Sequence, residues 1–145
     1  MARRRSYRWA SVRFSIFGTY LDPAEVSDTL GIRPDTSAKR GDPLGASAAL
    51  SSQQGHWSLV GHPSNGRIET QMTSILKQID PVKTQLRELM SEHKHIMGAV
   101  VDIGYSPRQD LAVACFTLKS QRVEKFVELG IDVNISLYLP EVVGR

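Results

Sequence analysis

Cysteine is nearly absent from this 145-residue chain: Cys115 stands alone, so no disulfide can form within it. That usage fits a reducing compartment, and the expected localisation is cytoplasmic. No apolar run is long enough to span a bilayer, which excludes a helical membrane anchor from the expected architecture. The basic start is followed by no apolar stretch, so no secretory signal is expected. No glycine-rich phosphate loop of the Walker or Rossmann type occurs. Acidic residues are missing before Asp22, whereas Arg3, Arg4, Arg5, Arg8 and Arg13 all precede it. Without those five arginines, 13 basic residues face 15 acidic ones. The net charge of +3 therefore belongs to an N-terminal arm, and the body is slightly acidic.

At this length and with 41% hydrophobic residues, the chain is expected to be one α+β domain, with residues 1–6 as a flexible basic arm. "YRWASVRFSIF" reads as a strand with Ala10, Val12, Phe14 and Ile16 on its apolar face and Trp9, Ser11, Arg13 and Ser15 on the other. "LDPAEVSDTLG" reads as a helix with Asp22 as N-cap, Pro23 in the first position and Gly31 as terminator. "GHWSLV" is a second strand and "HPSNG" a turn. From Met72 to Leu89 the apolar spacing is helical, and Pro81 divides it into two nearly continuous helices.

"HIMGAVVDIGY" and "DLAVACFTL" are expected to pair as a hairpin across "YSPRQ". Ser120 is expected to cap a short helix that stops at Gly130, and "IDVNISLYL" alternates as a last strand. The order implies a mixed or antiparallel sheet of about five strands, helices mainly on one face, and two βαβ-like halves related to the ferredoxin-like pattern. Both short helices end in Leu-Gly-Ile, a faint sign of duplication. The expected core comprises Phe14, Ile16, Leu30, Leu86, Leu89, Val113, Phe116, Phe126, Ile135 and Leu137.

"FSIFGTYLDPAEVSDTLGIRPDTSAKRGDP", then "GHWSL", then a proline-interrupted helical stretch and a terminal "LGIDVNISLY" together resemble the bacterial domain of unknown function DUF4279. The resemblance runs from about Val12 to about Leu139 and implies the fold. None of these motifs is catalytic, and the resemblance assigns no residue roles.

The chemistry must then be sought residue by residue. Cys115 lies in an apolar run and reads as a small buried hydrophobe. His93 and His95 sit where a helix ends, with no further ligand nearby in sequence, so no metal site is expected. His56 and His62 flank the Trp57 strand, and Asp42 with Ser51 or Ser52 could supply catalytic partners only by composition. The segment 33–54 has no clear helical or strand period. Such a segment in a compact domain is commonly functional or disordered.

Its charged turn at Lys39, Arg40 and Asp42, together with His56 and Trp57, forms the candidate binding set, with Trp57 as the anchor of the loop. The first expectation is a non-catalytic binding module for a protein partner, in a toxin-neutralising or regulatory role, using an exposed sheet face or edge and this loop. The alternative is a small enzyme or ligand-binding domain with a polar site around Arg40, Asp42 and His56. A weaker third is nucleic-acid binding through Arg3, Arg4 and Arg5. No cofactor, catalytic residue or membrane contact is expected, and the chain is expected to be a monomer or a homodimer.

Overall fold

The computed structural model describes residues 7–44, 47–92, 95–107 and 118–138. The arm at residues 1–6, the "DLAVACFTL" strand with Cys115, and the expected core residues Val113 and Phe116 lie outside them.

The chain opens with β1 (Tyr7–Gly18), a strand whose alternate residues Ala10, Val12, Phe14 and Ile16 are all fully buried. Arg13 sits in the middle of this strand, so it belongs to the sheet and not to an N-terminal arm. Helix α1 (Pro23–Leu30) follows. The Asp22 side chain accepts from the Ala24 amide at 3.0 Å, and Gly31 closes the helix in the left-handed region at φ 66°. That cap and terminator are the ones its sequence predicts.

The polar segment is less irregular than its lack of period implies. It holds β2 (Thr36–Ala38) and a small hairpin of β3 (Pro43–Leu44) and β4 (Ser47–Ser51). Strands this short carry no apolar alternation to read, because backbone pairing alone defines them. β5 (Gly55–Val60) comes next, with Trp57 and Leu59 buried on its inner face.

Helix α2 (Ile68–Ile79) begins one turn earlier than its Met72 signal. A single 3-10 turn at Asp80–Val82 takes up Pro81 and passes directly into α3 (Lys83–Glu92). β6 (Gly98–Pro107), α4 (Ser120–Glu128) and β7 (Asp132–Leu137) complete the described chain. Lys119, not Ser120, holds the N-cap position of α4, and it makes no side-chain cap bond.

The main sheet has the order β2-β5-β1-β6-β7. Its first four strands pair antiparallel, and β7 joins β6 in parallel. β5 lies between β1 and β2, and β1 lies between β5 and β6, so the crossovers through α1 and through α2–α3 each return to a parallel strand with one strand left in between. This is the split βαβ arrangement of the ferredoxin-like pattern. The α4–β7 unit extends it at one edge.

Helix residues Val26, Ile75, Ile79, Leu86 and Phe126 share one core with the inner faces of β1, β5 and β6. Ile135 and Leu137 depart from expectation: they lie on the same side as Ile103 and Tyr105 but are 53% and 52% exposed. β7 is the last strand of the described sheet, and only Val133, near its start, packs on the core. Alternation reports which face a side chain takes, not whether anything covers it.

Gln71 of α2 is fully buried, yet no apolar pattern marks it. Its Oε1 accepts from the Val12 amide at 2.9 Å, and its Nε2 donates to the carbonyls of Ala10 at 3.0 Å and Gly66 at 2.9 Å. The Asn65 side chain accepts from the Ala10 amide at 3.1 Å. β5 has left β1 by this point, so these amides stand in for the missing strand. Gly61 permits the approach, since a Cβ there would lie 2.4 Å from that of Gln71.

Gln71→Leu strands a buried amide and a buried carbonyl of β1, and is expected to cost between about 2 and 6 kcal/mol of stability. Urea denaturation beside an exposed control, Gln85→Leu, measures the difference. An equal effect of the two substitutions would contradict the strand-substitute role.

Candidate functional site

Every described helix packs on one side of the sheet. The other side carries the outward residues of β1 (Trp9, Ser11, Arg13, Ser15 and Phe17) and their cross-strand neighbours. Registration sets Arg13 opposite Val60 on one side and Asp102 on the other, with Ser15 opposite Ser58 and Val100. Strand alternation puts these side chains on one face, and the inter-strand register sets them side by side.

Two shallow concavities share this face. One, of about 460 Å³, lies beside the segment Ser52–Gln54 and holds Arg13, Ser15, His56, Ser58 and Asp102. The other, of about 490 Å³, holds Trp9, Ser11, Gly104, Ser136 and Tyr138, again with Arg13 and Asp102. Arg13 and Asp102 thus sit at the junction. They are direct cross-strand neighbours, yet neither is in an ion pair among the described residues.

Trp9 and Tyr138 meet edge to face, with ring centroids 5.4 Å apart. Both rings lie over Gly104, where a Cβ would come within 2.8 Å of the Tyr138 ring. A glycine under these rings lets their edges approach the strand closely, and both rings stay partly exposed. Phe17 covers Gly98 in the same way, 3.1 Å from the place of a Cβ.

Ser15 and Ser58 hydroxyls bond each other at 2.8 Å, and neither bonds His56. Ser15 and Ser58 therefore form no nucleophile–base pair with His56 among the described residues. Burial, and then the nearby Arg13 guanidinium, lower the His56 pKa below its usual 6.5, so the imidazole is neutral at neutral pH.

The sequence-selected residues are not brought together. His56 faces the open side, opposite to Trp57, as alternation requires. Trp57 is wholly buried: its ring packs edge to face on Phe14 at 6.3 Å, and Nε1 donates to Ser27 Oγ of α1 at 3.0 Å. It reaches no surface, so it holds β5 to α1 and offers nothing to a partner directly. Lys39, Arg40 and Asp42 form an exposed turn that follows Ala38, the cross-strand partner of His56, and Gly41 and Asp42 bond the Ser52 backbone; Arg40 and Asp42 themselves do not line the His56 concavity.

That turn is tied to its surroundings. The Asp42 carboxylate accepts from the Lys39 amide at 2.8 Å, and Gly41 takes φ 90°. Lys39 Nζ lies 3.7 Å from Asp22, and Arg40 donates to the Tyr20 hydroxyl at 3.1 Å. His95 sets its ring against Tyr20 at 6.2 Å, and His93 lies outside the described residues. His62 is 3.9 Å from Asp35 on another loop. Among the described residues no group of three or more metal-ligating side chains converges, and no helix is long and apolar enough to cross a membrane.

Trp9, Arg13, Asp102 and Tyr138 were not selected from the sequence as a set. The alternation of "YRWASVRFSIF" already puts Trp9 and Arg13 on one face; the strands beside them are visible only in the fold.

The chain belongs to the family described as domain of unknown function DUF4279, whose model matches residues 5–140. No curated protein and no solved structure matches it.

Trp57→Ala is expected to cost about 3 to 5 kcal/mol, whereas Lys39→Ala with Arg40→Ala is expected to cost less than about 1 kcal/mol, since both ends of those pairs are solvated. Urea denaturation ranks the two. A second expectation concerns His56. Its folded pKa is lowered, so the stability gained by keeping it neutral is present above pH 6.5 and is lost as pH falls through the lowered value. Urea midpoints taken from about pH 7.5 to about pH 5 should fall more steeply for the wild type than for His56→Gln. Parallel profiles would show that His56 contributes nothing to the pH response.

Proposed function

We propose that this chain is a non-catalytic binding module whose open sheet face receives a protein partner, in a regulatory or toxin-neutralising role. One observation carries this reading: Trp9, Tyr138 and Arg13 lie together on that face, accessible and outside any ion pair among the described residues. Tryptophan, tyrosine and arginine are the residue types that dominate binding energy at protein interfaces. The rings offer apolar area at little entropic cost because they already rest on Gly104. Arg13 calls for a carboxylate on the partner, and the surrounding Ser11 and Ser136 supply hydrogen bonds at the rim. The single cysteine fits a cytoplasmic setting for such a module.

The second reading is a small polar ligand in the concavity with His56, Ser15 and Ser58. Its volume and the neutral imidazole favour it. In the alternative around Arg40, Asp42 and His56, only His56 lines this concavity, and Arg40 bonds the Tyr20 hydroxyl instead. Nucleic-acid binding would rest on Arg3, Arg4 and Arg5, which lie outside the described residues.

A photo-crosslinking residue placed at Ser11, and separately at the exposed Arg87 of α3, distinguishes these readings in host cells. The expected result is one protein adduct of defined mass from position 11, none from position 87, and loss of the adduct with Arg13→Glu. Absence of any protein adduct at position 11, or equal adducts at both positions, would overturn the protein-binding reading.

A further inference from the structure

On the opposite, helix-bearing side of the molecule a second concave region runs between α2 and α4. It is formed by two adjoining hollows of about 390 Å³ and about 480 Å³ that share Thr73, Lys77 and Arg122. Arg67 lines one end and Lys125 the other, so four cations face two carboxylates, Glu69 and Asp80. This excess stands out because, apart from Arg3, Arg4 and Arg5, the chain's 15 remaining basic residues are balanced by 15 acidic ones. Lys77, Arg122 and Lys125 are in no ion pair among the described residues.

Arg122 is oriented as well as uncompensated. It is half-buried, and its Nε donates to Thr73 Oγ1 at 3.2 Å. The Thr73 hydroxyl is itself fixed, donating to the Glu69 carbonyl at 2.8 Å. With Nε occupied, the two terminal nitrogens of the guanidinium remain as a fork of donors. Lys77 and Arg122 line both hollows and neither is in an ion pair among the described residues, so a bound anion would lower the energy of this groove.

We infer that this groove binds a small phosphate monoester, with the phosphoryl group between Lys77 and Arg122. A phosphoryl group offers three acceptor oxygens and up to two negative charges, which suits a guanidinium fork beside an ammonium better than the two oxygens and single charge of a carboxylate. The hollows exceed the size of a bare phosphate, and Glu69 and Asp80 at their margins accept hydrogen bonds. The organic part of the ligand therefore carries hydroxyl or amine donors. This site is independent of the open sheet face and does not rest on the protein-binding reading.

The test is a titration of the full chain followed by amide NMR shifts. The probes are inorganic phosphate, glucose 6-phosphate and glucose, with sodium chloride matched in ionic strength. The expected result is saturable shifts around Thr73, Lys77 and Arg122 with phosphate, and at lower concentration with glucose 6-phosphate. Glucose and chloride should give none. Arg122→Gln and Lys77→Gln should each weaken binding about ten-fold or more, while Arg87→Gln should leave it unchanged. Lys77 is exposed, so its variant reads binding even if Arg122→Gln folds poorly. Shifts that chloride reproduces, that never saturate, that map elsewhere, or that survive Lys77→Gln would overturn the inference. So would saturation by a single-stranded oligonucleotide without any response to phosphate.

Discussion

The structure depends on how β1 completes its hydrogen bonds after β5 turns away. A strand at the centre of a sheet must satisfy both edges, and buried backbone groups left unpaired are costly. β5 pairs with β1 only from Arg13 onward, so the first half of β1 would present open donors and acceptors to the core. The amide of Gln71 closes that gap with both its oxygen and its nitrogen. It does so from a helix, which fixes the depth of α2 against the sheet. Gly61 is the necessary counterpart, because any larger residue would occupy the space of Gln71 itself.

From this constraint the two-sided character of the molecule follows. Once α2 is seated on one side of β1, α1, α3 and α4 pack around the same core, and the inward residues of β1 are sealed. Period-two alternation then sends Trp9, Arg13 and Phe17 to the side without described helices. Exposed aromatic rings on a sheet risk self-association. Here Gly104 and Gly98 let the rings approach the strand closely, so that part of their apolar area packs on the protein's own backbone. What remains accessible is a limited aromatic patch beside one arginine.

The local elements were legible in the sequence because their signals are local. Asp22, Pro23 and Gly31 mark α1 by cap chemistry that acts within one turn. Alternation within "GHWSLV" sends Trp57 and His56 to opposite faces, although residue type alone groups them as one binding set. Three features were not legible, each for a physical reason. Gln71 acts across 59 residues of sequence, and a polar residue in a helical pattern carries no mark of being buried. The strands in the segment 33–54 are held by backbone pairing, which leaves no trace in side-chain period. Ile135 and Leu137 alternate like core residues, but strand position in the sheet decides coverage. The candidate site divided along the same line. The turn at Lys39 was visible because glycine and charge announce a turn, whereas Arg13 beside Asp102 needed the register of two strands 89 residues apart.

Arg13 also shows why charge counted along a chain misleads. By position it belongs with the N-terminal arginines; by register it stands at the centre of the open face between two concavities. The basic groove makes the converse point. Lys77 and Arg122 are far apart in sequence and each lies near acidic residues, so no run of charge announces them. Packing brings them together through Thr73, two residues from Gln71 on the same helix. α2 therefore turns Gln71 toward the sheet and Thr73 and Lys77 toward the groove. A change that loosens Gln71 disturbs the sheet that carries the open face and the wall that carries the groove alike, whereas a substitution at Arg13 or Lys77 acts on one surface alone.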